Sequence, residues 1–171
     1  GYIPAIAQPG VREYEIRSKI MQLITDHGGE EMIVLMGRGA SGECFTPLSS
    51  FFQNDVLNKG DQLYIRISAS GPGGLFTTIG RMFSIGGAPS PQMRKNWEEV
   101  CRAEEFLTER LIPGGDPALI YQEYNHYLEK RGYEKEKGIF AYGQGYDNIE
   151  RPSIQPGETM FLKNDMCMAL N

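Results

Sequence analysis

Histidine and cysteine are scarce in this 171-residue chain, and so are positive charge and long apolar runs. Only His27 and His126 are present, which limits imidazole-based metal binding and acid–base chemistry near neutral pH. The three cysteines, Cys44, Cys101 and Cys167, are odd in number and far apart, with no CxxC pair. That excludes a zinc ribbon or a disulfide framework and fits free thiols in a reducing compartment, so a cytoplasmic location is expected. Lys and Arg total 17 against 22 Asp and Glu, a net charge of −5. A nucleic-acid surface spread over the domain would need the opposite balance, so no nucleic-acid partner is expected. No apolar run approaches the roughly 18 to 20 residues of a bilayer span, and no charged-then-apolar leader opens the sequence. A membrane partner is therefore not expected either. Disorder is excluded as well, because 40% apolar and 23% charged residues are the proportions of a folded globular domain.

What the chain has in quantity is punctuation: 21 glycines and 10 prolines, hence many turns and a mixed α+β composition. After Pro9-Gly10, the residues Ile16, Ile20, Leu23 and Ile24 recur at helical spacing as far as Asp26, and Gly28-Gly29 ends the helix. Glu31 to Met36 predicts a strand, and so does Gln62 to Ala69, where Leu63, Ile65 and Ile67 alternate with polar neighbours. Gly71-Pro72-Gly73-Gly74 turns the chain into a returning strand from Leu75 to Ile85, completing a hairpin. A long helix is expected from Pro91 to Leu111, with Met93, Trp97, Val100, Leu107 and Leu111 as its apolar stripe. Pro113-Gly114-Gly115 breaks it. Asp116 then caps a further helix that has Pro117 in its first position, carries Ile120, Tyr124, Tyr127 and Leu128 inward and stops before Gly132. Ile139 to Tyr142 predicts a short strand, residues 143–155 an irregular stretch, and Glu158 to Ala169 a final strand.

Pro9-Gly10, helix, Gly28, strand, Gly37-Arg38-Gly39 returns as Pro113-Gly114, helix, Gly132, strand, Gly143-Gln144-Gly145, at offsets of 104, 104 and 106 residues. Lys59-Gly60-Asp61 before a strand likewise returns as Gln155-Pro156-Gly157-Glu158. Two αβ units in the same order suggest a duplication, with halves of about 9–88 and 89–171 and a site between them. Neither Gly37-Arg38-Gly39 nor Gly71-Pro72-Gly73-Gly74 has the spacing of a phosphate loop, so turns are expected at both. Cys44 has no nearby histidine to activate it, and Cys101 and Cys167 are expected in the core.

Pro9-Gly10-Val11-Arg12-Glu13, Lys59-Gly60-Asp61, Gly80-Arg81-Met82-Phe83, Pro113-Gly114, Tyr142-Gly143-Gln144-Gly145 and Pro156-Gly157 follow one order. It resembles that of the creatinase, prolidase, aminopeptidase P and methionine aminopeptidase superfamily, over almost the whole chain. The resemblance implies a pita-bread-type α+β fold, with duplicated αβ units forming a curved antiparallel sheet covered by helices. Residues 1–171 would make a single such domain, truncated at both ends. The exposed sheet edge left by truncation fits a fragment of a larger chain or a homodimer.

Peptidases of this superfamily hold two divalent metals with two Asp, one His and two Glu, a hard donor set that activates a shared water. Carried over position by position, the first Asp falls on Arg66, or on Ile67 if the hairpin is one residue longer, and the second on Thr78. The two histidines of the family's His-Gly-x-Gly-His segment become Tyr142 and Tyr146, and the first Glu becomes Lys163. No Asp, Glu or His occurs between Gln62 and Arg81 to rescue the match by a shift. The expectation is a domain with no metal or other cofactor and no metallopeptidase activity. It binds a small carboxylate-bearing molecule or short peptide in the former active-site cleft.

The expected ligand-binding residues are Arg66, Thr78, Tyr142, Tyr146, Asp147 and Lys163, with Arg66 as the fork and a tyrosine as neutral donor. Internal carboxylates to balance the two cations would come from Asp147, Glu150 or Asp165. Two alternatives stay open at this point. Arg66 and Lys163 reach solvent along the strand edges, with Tyr142, Tyr146, Asp147, Asn148 and Glu150 lining a cleft without chemistry. Or the chain is a metal-independent, creatinase-like hydrolase or lyase of a small C–N substrate, which would need a histidine in the cleft.

Overall fold

A computed structural model describes residues 2–43 and 54–171, so Cys44 lies outside the described residues. The chain divides into two compact units, Gly1–Trp97 and Glu98–Asn171.

The first unit opens with α1 (Tyr2–Ile6) and α2 (Glu13–Asp26). At the start of α2 the Glu15 carboxylate accepts from the Arg12 backbone N–H at 2.8 Å, satisfying one of the helix's otherwise unpaired donors. Gly28, at φ +83°, lets the chain leave the helix in the left-handed region that a side chain resists. Three antiparallel strands follow in the order β1 (Met32–Gly39), β2 (Gln62–Ser70), β3 (Phe76–Ser84). Val34 pairs with Ile67 and Ile67 with Ile79, so the alternation seen in the sequence sends one set of side chains to each face. Val34, Met36, Leu63 and Ile65 pack on Ile16 and Ile20 of α2. Arg66 and its even-numbered neighbours on β2 therefore face the other way.

Gly37-Arg38-Gly39, expected as a turn, lies within β1. Arg38 explains this, for its guanidinium bonds Asp55 and Asp61 at 3.1 Å each and ties the end of β1 to the segment before β2.

Helix α3 (Pro91–Thr108) runs through the division at Trp97. In the second unit, α4 (Pro117–Lys130) begins as expected, with the Asp116 carboxylate accepting from Ala118 N–H at 2.9 Å. Its tyrosines pack. Phe106 stacks on Tyr127 at 4.4 Å between ring centroids, and Tyr124 meets Phe140 at 4.6 Å. The guanidinium of Arg131 lies 4.7 Å from the Tyr127 ring while bonding Glu99 at 2.9 Å. The second sheet is antiparallel in the order β5-β4-β6, with β4 (Ala141–Gly143) flanked by β5 (Glu150–Ser153) and β6 (Met168–Leu170). Leu107, Ile120, Phe140, Ala141, Ile154 and Leu162 form its core.

Four sequence expectations need correction. Trp97 and Val100 stand 52% and 54% exposed, although Met93 and Leu107 of the same stripe are buried. Helical spacing identifies a common face, not how much of it is covered. Cys167 is exposed rather than part of the core, while Cys101 is half-buried. Part of the stretch 143–155 forms β5. The strand expected from Glu158 to Ala169 shrinks to β6, because its backbone groups bond elsewhere. Leu162 exchanges hydrogen bonds with Gly114 and Gly115 (2.8 and 3.0 Å), Thr159 and Met160 donate to the Glu158 carboxylate, and Asp165 turns the chain at φ 63°.

Candidate functional site

Of the six expected site residues, Arg66 and Thr78 belong to the first unit and the other four to the second. Arg66 pairs across the sheet with Leu35 on one side and Gly80 on the other, while Thr78 pairs with Ser68. Paired residues share a face, so Tyr64, Arg66, Ser68, Thr78 and Gly80 lie together opposite the α2 core, with Ile33, Leu35 and Met82 beside them. The Ser68 and Thr78 hydroxyls are hydrogen-bonded at 2.8 Å, with Ser68 1% exposed. Arg66 is half-buried, and its Nε, like those of Arg17 and Arg38, is buried with no hydrogen-bond partner among the described residues. No ion pair is made by its guanidinium among the described residues. Nearly all buried charged donors are paired, and leaving one unmade costs about 1 to 3 kcal/mol or more.

Sequence reading missed Tyr64 on this face. Its ring lies over Gly80, with the hydroxyl 2.7 Å from where a Cβ on Gly80 would stand. The available signal was its place two residues from Arg66 on an alternating strand.

In the second unit the structure separates the expected residues. Tyr142, on β4, is 1% exposed, and its hydroxyl is a second buried polar atom without a partner. It lies opposite Ser153 and Ala169, two small buried neighbours. Tyr146 is 73% exposed, and Asp147 is exposed in the same β4–β5 connection. Glu150 there accepts from the Asp147 backbone N–H at 2.9 Å, and Gln144 donates to the Asn148 carbonyl at 3.2 Å. Glu150 and Gln144 thus help shape the turn itself. Lys163 is exposed and lines a cavity of about 330 Å³ with Leu111, Ile112, Asp165 and Met166. Both histidines are exposed.

One ionisable group of the second unit, expected from the sequence only as the end of a repeat mark and the start of a strand, is tightly bound. Glu158, whose side chain is 2% exposed, accepts from Ser153, Thr159 and Met160 N–H at 3.3, 2.7 and 2.9 Å and pairs with Arg151. The Arg151 guanidinium, helped by the backbone donors, lowers the carboxyl to about 2.

Two αβ units, each with an antiparallel three-stranded sheet, set the fold class, and sequence comparison names the family. The model of metallopeptidase family M24 matches residues 2–171, and the chain belongs to that family. Its fold is that of pita-bread proteins. The chain is similar to the dipeptidase PepE from Mycobacterium ulcerans, at 23% identity and a TM-score of 0.82 over 99% of this chain and 45% of that one. It is also similar to the X-Pro aminopeptidase from Thermotoga maritima MSB8 (20%, 0.83, over 99% and 47%). A third likeness is to the prolidase from Pyrococcus furiosus (21%, 0.79, over 98% and 50%). The chain thus spans about half the length of these structures. No curated protein matches it in sequence.

The family's name implies metal, but the residues present do not fit it. Arg66, Thr78, Tyr142, Tyr146 and Lys163 offer neither carboxylate nor imidazole. Among the described residues, no three His, Cys, Asp or Glu side chains gather where they could hold an ion. Among those residues, too, no helix is long and apolar enough to cross a membrane.

Proposed function

We propose that this chain is a metal-free relative of the Xaa-Pro peptidases that binds a small carboxylate-bearing molecule or short peptide through Arg66. The observation that supports this reading is a half-buried guanidinium, on the sheet face opposite the α2 core, that makes no ion pair among the described residues. A guanidinium presents two parallel N–H groups that match a carboxylate. A creatinase-like, metal-independent hydrolase is less well supported, since its acid–base group would be a histidine and His27 and His126 lie at the end of α2 and on α4, outside the β1–β3 face that carries Arg66. Free Cys101 and Cys167 are consistent with a reducing compartment such as the cytoplasm.

Among the similar structures is an Xaa-Pro dipeptidase from Bacillus anthracis, which suggests glycyl-L-proline as a first probe. Isothermal titration in the presence of chelator should detect binding. Arg66→Ala should weaken it about tenfold to a hundredfold, the effect of removing a charge-assisted hydrogen bond. Lys95→Ala, on the surface of α3, should leave it unchanged. Equal affinities for Arg66→Ala and the unmodified chain would defeat the proposal.

A further inference from the structure

Resting on the carboxylate reading of Arg66, we infer that Tyr64 is the second ligand-touching donor of that site and Gly80 the residue that positions it. The inference comes from strand register. Gly80 is the direct cross-strand partner of Arg66, and directly opposed residues hold their Cβ atoms about 5 Å apart. The position across from Arg66 therefore has no side chain of its own. Tyr64 fills it. Its hydroxyl and nearest ring carbons lie 2.7, 3.3 and 3.4 Å from the site of the absent Cβ, so a phenol hydroxyl occupies the side-chain space directly across from the Arg66 strand position. A carboxylate held by Arg66 is then within reach of that O–H. The hydroxyl is donor and acceptor at once, so a bond to ligand is compatible with contacts it already makes. Packing of a tyrosine ring on a strand glycine also has a purely structural use, covering bare backbone. Removing only the hydroxyl separates the two roles.

Tyr64→Phe keeps the ring on Gly80 and should weaken glycyl-L-proline binding about tenfold. Gly80→Ala would set a methyl group 2.7 Å from the hydroxyl, at the movable end of a side chain, so the tyrosine swings aside. It should cost a similar factor, and the double variant should lose no more than either single one, because both remove the same hydrogen bond. Glycyl-L-prolinamide, which lacks the carboxylate, should bind equally weakly to all of these proteins. Unchanged affinity in Tyr64→Phe alongside a loss in Arg66→Ala would overturn the role of Tyr64 and leave the Arg66 reading standing. Additive losses would overturn the positioning role of Gly80. No binding by the unmodified chain, or no loss in Arg66→Ala, would overturn both readings together.

Discussion

Replacing Glu158 with glutamine is expected to destabilise the fold by about 2 kcal/mol at neutral pH and to remove a defined part of its acid sensitivity. The folded carboxyl is lowered to about 2 from an ordinary value of 4.5, by Arg151 first and then by backbone N–H groups. A carboxylate whose value falls on folding binds fewer protons in the native state than in the unfolded one. Its contribution is therefore complete above about pH 4.5 and is lost as the pH falls towards 2. Much of the ion-pair attraction is weakened by water, because the Arg151 side chain is 60% exposed. The backbone donors add to the loss, since the amide keeps one acceptor oxygen but turns N–H hydrogens towards either Ser153 N–H or the Thr159 and Met160 pair. Urea unfolding followed from pH 7 to pH 2 should show the unmodified protein losing stability through this window, with the variant starting lower and changing less. Parallel curves would mean that the carboxylate titrates alike in both states.

Gly143→Ala is expected to cost about 3 kcal/mol, more than Gly145→Ala only two residues away at about 1 kcal/mol. A Cβ on Gly143 would stand 2.8 Å from the Arg151 carbonyl oxygen and 3.2 Å from that of Glu150, where β4–β5 pairing slips by a bulge. Backbone on a paired strand cannot yield without opening the pair. At Gly145 the obstacle is the Glu150 carboxylate, 2.8 Å away, which can rotate aside at the cost of its bond to Asp147 N–H. Thermal melts of the two variants measure the difference, and equal shifts would show that β5 gives way as readily as a side chain.

These two residues also mark what a sequence discloses. Gly143-Gln144-Gly145 was legible as a family mark, but its necessity comes from how closely two strands approach, a tertiary fact. Helix α2, the β2–β3 hairpin and the Asp116 cap were legible because each follows from local periodicity or local bonding. The loss of strand from Glu158 to Cys167 was not. Its backbone bonds go to Gly114 and Gly115, nearly fifty residues earlier, and to the Glu158 side chain. For the site, residue order directed attention to Arg66, Thr78 and Tyr142. Burial then set Tyr142, at 1% exposure, apart from Tyr146, at 73%, where the sequence offered two equivalent tyrosines. Tyr64 needed the structure before its hydroxyl could be placed beside Gly80, the cross-strand partner of Arg66.

The most direct test of an anion site in place of a metal site is a metal count. The purified protein is incubated with Mn(II) or Co(II), desalted and analysed for bound metal, with melting temperatures recorded before and after chelator. The absence of carboxylate and imidazole from Arg66, Thr78, Tyr142, Tyr146 and Lys163, and the lack of any three-ligand cluster among the described residues, predict far less than one ion per chain and an unchanged melting temperature. A count of about two ions per chain, removable by chelator with loss of stability, would contradict it.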